Sequence, residues 1–293
     1  MTKLLITGAN GQLGRELRRL LDGDSRFVAA YTDVHELDIT DQQAVDRWLD
    51  THPVDYIVNC AAYTAVDRAE DDEATAMLIN AQAVENLAVA AARWGARIIH
   101  DSTDYVFDGI ACRPYREDDV PHPASAYGRT KLAGEQALLR ILPEQSVVLR
   151  TAWLYSPHGK NFVKTMLELG RTRTALRVVY DQVGSPTLAT DLARAIITVL
   201  TAQQWHPGIY HYCNEGAVSW YDFTKAIHRL AGITTCDVQP CLSHEFPTRA
   251  HRPAYSVLDK AKFKATFGVT IPHWEESLRE FIIHNAKFII HNA

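Results

Sequence analysis

The chain has 293 residues, 47% of them hydrophobic and 22% charged, which is ordinary globular usage and rules out extended disorder. Its formal charge of −5 argues against nucleic acid or an anionic membrane as the main partner, because either would demand a basic excess. The five cysteines, Cys60, Cys112, Cys213, Cys236 and Cys241, are odd in number and lack C-x-x-C spacing, which predicts no disulfide framework or zinc site and fits a reducing, cytoplasmic location.

In chain order, residues 3–7, 27–31, 55–61, 97–102 and 147–151 are apolar runs without polar alternation, bounded by turn residues, and read as buried strands. Between them, residues 11–21, 41–49, 73–94 and 127–142 read as helices, the last closed by Pro143. This alternation predicts an α/β fold with a doubly wound, Rossmann-type parallel sheet. Beyond Thr151 the rhythm changes. Residues 161–170, 191–200 and 220–231 look helical, and 177–180 and 209–213 look extended. The expected organisation is a dinucleotide-binding domain over 1–150 with a return near 188–213, and a smaller, interleaved substrate lobe from 151–187 and 214–293. No run approaches the roughly 18 apolar residues of a membrane span. Residues 281–286 (FIIHNA) recur as 288–293, a repeat that could extend one terminal helix and is given no function.

Gly8-Ala-Asn-Gly11-Gln12-Leu13-Gly14 follows the first predicted strand and opens the first helix. In that context Gly8 permits a tight turn, Gly11 lets backbone approach a pyrophosphate at the helix N-terminus, and Gly14 lets helix and strand pack closely. A dinucleotide cofactor is expected, NADPH with NADH possible. Asp33, beyond the second strand, stands where an acid takes the ribose hydroxyls of NAD, and His35 nearby could offset repulsion of a 2′-phosphate. Asp38 and Ile39 suit an adenine edge, although Asp38 could equally cap a turn. Ala61, Ala62 and Tyr63 are placed to pass behind the ribose and nicotinamide, as a merely well-packed strand end would also be.

Tyr127-Gly-Arg-Thr-Lys131 puts a phenol and an ammonium four residues apart on one helical face. A free tyrosine has a pKa of about 10, and a neighbouring ammonium favours the phenolate, which suits proton exchange with a carbonyl oxygen while hydride arrives at carbon. The pattern alone is weak, since Tyr221-Asp-Phe-Thr-Lys225 repeats it. Tyr127, however, stands 24 residues after Thr103, at the carboxyl end of a predicted strand where doubly wound sheets bind ligands. Thr103 is the expected third member, donating to the substrate carbonyl or else bonding its own loop. Asn80 could hold a relay water or lie exposed on its helix.

Ile6-Thr-Gly-Ala-Asn-Gly-Gln-Leu-Gly14, Asp38-Ile-Thr-Asp41, Asn59-Cys-Ala-Ala-Tyr-Thr-Ala-Val-Asp67, Ser102-Thr-Asp-Tyr-Val-Phe107, the tyrosine–lysine motif, Arg150-Thr-Ala-Trp-Leu-Tyr155, Asn161-Phe-Val-Lys-Thr-Met166, Asp181-Gln-Val-Gly-Ser-Pro-Thr187 and Arg252-Pro253 together resemble the dTDP-4-dehydrorhamnose reductase family, a branch of the extended short-chain dehydrogenase/reductases. The resemblance implies reduction of the C4 keto group of dTDP-4-dehydro-L-rhamnose with NADPH. It further implies that Thr103, Tyr127 and Lys131 are catalytic, and that Val66, Thr103, Asp104, Tyr105, Trp153 and Arg252 meet the nucleotide sugar. Some members form metal-linked homodimers through acidic side chains. Here Glu16 keeps one such position but Thr190 stands where a second acid is expected, so no metal is predicted and a homodimer is left open. The alternatives are another nucleotide-sugar epimerase, dehydratase or reductase on the same fold, and a non-catalytic NADP-binding regulatory subunit.

Overall fold

The computed structural model describes residues 1–285. The second FIIHNA copy lies outside the described residues.

Among the described residues eleven α-helices and twelve strands follow one another: β1 (Thr2–Thr7), α1 (Gln12–Leu21), β2 (Phe27–Thr32), α2 (Gln42–Thr51), β3 (Tyr56–Asn59), α3 (Val66–Ala69), α4 (Glu73–Met77), α5 (Ala83–Trp94), β4 (Arg97–Thr103), α6 (Ala126–Ile141) and β5 (Ser146–Thr151). After them come β6 (Leu154–Tyr155), α7 (Phe162–Thr172), β7 (Ala175–Val179), β8 (Val183–Gly184), β9 (Thr187–Leu188), α8 (Ala189–Thr201), β10 (Gly208–His211), β11 (Val218–Ser219), α9 (Trp220–Leu230), β12 (Asp237–Cys241), α10 (Ala261–Phe267) and α11 (Trp274–His284).

Six strands form one parallel sheet in the order β2-β1-β3-β4-β5-β10. Parallel strands need crossover helices, so both faces are covered and the strands carry nearly continuous apolar runs. One face buries Leu4, Ile6, Val58 and Ile99 against Leu13 and Leu17 of α1 and Leu192 and Ile196 of α8. The other buries Leu5, Ile57, Ile98 and Val148 against Val45 and Leu49 of α2, Leu87 of α5 and Leu138 of α6. Each such side chain contributes about 1.5–3 kcal/mol on leaving water. A separate apolar cluster joins α7, α9 and α11 around Tyr155, Phe223, Ile227, Trp274 and Leu278.

The expected helix over 73–94 departs from regularity. Between α4 and α5, Leu78–Gln82 form a π turn, in which one extra residue is accommodated. The alanine-rich run keeps its apolar face across the insertion, so nothing in its periodicity reveals it. The strand expected to reach residue 61 ends at Asn59, where the Asn59 side chain accepts from the Thr7 hydroxyl (2.7 Å) and the Ala61 amide (3.1 Å) and turns the chain out of the sheet. Glu16 is buried in α1, where its carboxylate accepts from the Thr190 hydroxyl at 2.6 Å and from Arg19 at 2.8 Å. No helix among the described residues is long and apolar enough to cross a membrane.

Candidate active site

The glycine loop lies at the carboxyl end of β1. Gly8 adopts φ +62°, and a Cβ there would come within 2.6 Å of the Ala61 main-chain nitrogen. A Cβ at Gly14 would sit 2.5 Å from the Gly8 carbonyl oxygen, so α1 rests directly on the turn before it. Gly11 caps α1 without any side-chain hydrogen bond and no acid occupies the first turn, which leaves its amides and dipole for an anion. Beside this loop opens a cavity of about 460 Å³ lined by Gly8, Gly11, Asp33, Asp38, Ile39, Ala61 and Ala62. A dinucleotide fits this donor set: bare backbone for phosphates, a carboxylate for ribose hydroxyls and an aliphatic wall for adenine.

The remaining loop residues are partly committed elsewhere. Asp33 accepts from the Asn10 and Val34 amides at 3.1 and 2.9 Å, and Asp38 accepts from the amide and hydroxyl of Thr40 at 2.9 and 2.6 Å, so Asp38 is a turn residue as well as a cavity wall. Leu13 points into the core, and the Gln12 side chain accepts from Ser156 and Asn161, both at 3.0 Å, tying the loop to α7.

Helix α6 begins at Ser125, whose hydroxyl accepts from the Gly128 amide at 3.1 Å, and Glu70 accepts from the Ala126 amide at 2.8 Å. This double anchor fixes Tyr127 in the first turn. One turn later Lys131 is buried, its Nζ donating to the Asp101 carbonyl at 2.6 Å. Behind it, Glu135 receives Arg150 through two nitrogens (3.0 and 2.7 Å) and the Ser102 hydroxyl at 2.5 Å. That wholly buried ion pair bolts α6 to β4 and β5.

Burial raises the Tyr127 pKa from its usual value, and the Asp101 charge raises it further; the Thr103 hydroxyl pulls it down. The Lys131 ammonium, expected to lower it, is bonded to the Asp101 carbonyl. Lys131 is itself lowered by desolvation, against Asp101. Thr103 donates to Asp104 Oδ1 at 3.1 Å and accepts from the Tyr105 amide at 3.2 Å, so it bonds its own loop, and it also faces Tyr127. Desolvation pushes Asp104 up to about 6, and its Oδ2 has no hydrogen-bond partner among the described residues.

Tyr105 packs edge-on against Tyr127, ring centres 5.6 Å apart, and burial pushes its phenol up to about 12. Arg252 donates to Tyr105 Oη at 3.2 Å and to Asp67 at 2.6 Å, bridging the 3₁₀ turn Asp104–Val106 to α3, which Val66 opens. Tyr63 and Tyr127 both pack against the buried cluster of Ala69, Ala76 and Ala126. Asn80, buried within the π turn, accepts from the Tyr63 amide at 2.8 Å and donates to the Tyr63 carbonyl (3.2 Å) and Thr130 (3.1 Å). It is a brace between the loop after β3 and α6, a role not anticipated from the sequence. Trp153 has φ +48° and stacks on Trp220 at 3.3 Å between ring centres, which covers one face of its indole. The partner is 67 positions away in sequence, beyond the reach of any local pattern.

Comparison with known proteins agrees with this geometry. Residues 1–286 match the family model described as RmlD substrate binding domain. A dTDP-4-dehydrorhamnose reductase of Aggregatibacter actinomycetemcomitans is 42% identical, covering 95% of this chain and 98% of that protein. The crystal structure of a dTDP-4-dehydrorhamnose reductase from Clostridium acetobutylicum superposes with a TM-score of 0.93 at 46% identity, covering 97% of this chain and 99% of that one. One from Bacillus anthracis, solved in complex with NADP, superposes with a TM-score of 0.92 at 38% identity over 97% and 99% of the respective chains. The chain belongs to the family of the RmlD substrate binding domain, that of the dTDP-4-dehydrorhamnose reductases.

Proposed function

We infer that the chain is an oxidoreductase that uses NADPH to reduce the C4 keto group of dTDP-4-dehydro-L-rhamnose, giving dTDP-L-rhamnose. What supports this reading is the placement of Thr103 at the carboxyl end of β4 against Tyr127, with the buried Lys131 one helical turn further on. Family membership and the NADP-bound relative support it.

In this proposal residues 1–150, with the return near 188–213, hold the cofactor, and 151–187 with 214–293 hold the sugar. Bound NADPH supplies the hydride that the substrate carbon receives. Tyr127 gives its phenolic proton to the carbonyl oxygen, and Thr103 swings its hydroxyl from Asp104 to the same oxygen. Lys131 contributes fixed positive charge that opposes build-up of negative charge on Tyr127. Val66, Tyr105 and Trp153 wall the sugar. Arg252, whose forked donors suit a diphosphate, would bring positive charge that Asp67 now balances. The nucleotide sugar is the partner proposed; a cytoplasmic location accords with the five unpaired cysteines, and a homodimer is open to sedimentation analysis.

The experiment is a panel of keto-sugar nucleotides incubated with NADPH or NADH, with nicotinamide absorbance followed and product stereochemistry read by NMR. Consumption of NADPH with dTDP-4-dehydro-L-rhamnose and a C4 alcohol of the L-rhamno configuration is expected. Binding of NADPH without turnover of any panel member would overturn the reading in favour of a regulatory subunit.

A further inference from the structure

Gln12 stands 144 and 149 positions from Ser156 and Asn161, yet its amide oxygen accepts from the hydroxyl of the first and the side-chain amide of the second, both at 3.0 Å. The sense of these bonds is fixed. Asn161 caps α7 by accepting from the Lys164 amide at 3.1 Å through Oδ1, so its Nδ2 is a donor and the Gln12 atom facing it is the oxygen. Gln12 is also the first residue of α1, directly after Gly11, in the turn whose amides are left for an anion. One contact thus joins the phosphate-binding turn to the residue from which α7 starts. His158, on the same loop, meets Glu16 at 3.2 Å one turn further along α1.

From α7 the contacts run on. Phe162, its first residue, packs on Trp220 with ring centres 4.4 Å apart, and Trp220 stacks on Trp153. Gly184 closes the other face of the Trp153 indole. A Cβ built there would lie 2.6 Å from Cε2 and 2.8 Å from both Cζ2 and Nε1, distances that put it over the ring. A side chain packed on both faces does not shift alone, so Trp153 is set by Trp220, and Trp220 by α7. Trp153 in turn follows Thr151, which pairs with Thr103 at the carboxyl end of the sheet.

We propose that Gln12 is a positioning residue that couples the two halves of the reductase site. A dinucleotide at the glycine turn fixes Gln12, Gln12 fixes the start of α7, and α7 acts through Phe162 and Trp220 on the Trp153 wall of the sugar pocket. The proposal rests on the reductase reading, in which the lobe beyond Thr151 holds a nucleotide sugar. Its consequence is positive coupling: each ligand binds more tightly when the other is present, by the same factor.

The test is titration calorimetry on the whole chain with NADP and dTDP, in the wild type and in Gln12→Met. Methionine keeps the unbranched shape and removes the acceptor. Neither donor is stranded by it, because the Ser156 hydroxyl also reaches the His158 carbonyl at 3.0 Å and Asn161 Nδ2 the Ser156 carbonyl at 2.8 Å. In the wild type, saturating NADP should lower the Kd of dTDP by about fivefold or more, the usual lower bound for coupled sites. In Gln12→Met that factor should fall below about twofold, and adding Ser156→Ala to it should remove nothing further, since both act on one contact. A merely structural role would weaken both ligands and leave the factor unchanged. A wild-type factor near one, or an equal factor in the variant, overturns the proposal. Ser156→Ala alone, which leaves the glycine loop untouched, carries the same comparison if Gln12→Met does not fold. Absence of dTDP binding, or of turnover of every keto sugar by the wild type, would instead sink the reductase reading, so the two failures are distinguishable.

Discussion

Tyr127 with Lys131 and Tyr221 with Lys225 place the same two side chains at the same spacing on two helices, α6 and α9. Their surroundings differ in every respect that matters to chemistry. Lys131 is buried and fixed on a strand carbonyl, while Lys225 is exposed. Tyr127 meets Thr103 and Tyr105 at the carboxyl end of β4, while Tyr221 packs on the apolar cluster of α7, α9 and α11. The helices are also seated differently. Helix α6 is bolted by the buried Glu135–Arg150 pair, whereas α9 carries an exposed Arg229–Glu275 pair. A desolvated, strand-anchored setting sets the first pair apart, and spacing does not.

The sharpest way to break this comparison is to remove one hydroxyl at a time. Tyr127→Phe should lower kcat by roughly 10²–10⁴-fold, the range for loss of a general acid, with NADPH binding by fluorescence titration retained. Tyr221→Phe should leave kcat within about twofold, because it changes packing at a half-buried surface and no reacting atom. Equal losses would mean that the second motif shares the chemistry.

Next in size is the seating of the helices. Arg150→Met leaves Glu135 buried without its partner and should cost about 3–5 kcal/mol in denaturant unfolding, while Arg229→Met, at a solvent-screened pair, should cost about 0–1 kcal/mol.

A smaller effect sharpens the contrast through pH. Asp101, which abuts α6, has a folded pKa of about 6, above the unfolded value of about 3.9, so the native state binds more protons between those values. Its contribution to stability is therefore complete below about pH 4 and is lost as pH rises through 6. Asp101→Asn should match the wild type in unfolding free energy below pH 4 and exceed it by about 1–3 kcal/mol above pH 6. A constant offset at all pH values would show that the carboxyl titrates normally.

The sheet was legible because parallel strands buried on both faces must be apolar along their whole length, and the runs at Leu4–Ile6, Ile57–Val58, Ile98–Ile99 and Val147–Leu149 are. The distance from Thr103 singled out the Tyr127–Lys131 pair, and the fold sets Thr103 against Tyr127. Contacts between distant parts of the chain were not. Arg252 meets Asp67, and Trp153 meets Trp220, only because the fold brings them together. Asn80 read as an ambiguous helical amide, since its task depends on a π turn that leaves no mark on periodicity. Asp101 left no such mark, because β4 also carries Arg97, His100, Ser102 and Thr103 and one more polar residue does not stand out.

The π turn at Leu78–Gln82 also bears on how this region tolerates changes in length. Such a turn holds one residue more than an α-helical turn, so excising any one of the five would let the backbone relax into an uninterrupted α-helix. Because the wide turn absorbs its extra residue, the helical segments on either side would keep their relative orientation. What would be lost is the local bulge that carries Asn80 to Tyr63 and Thr130. A shortening that looks harmless on the sequence would disconnect the loop after β3 from α6.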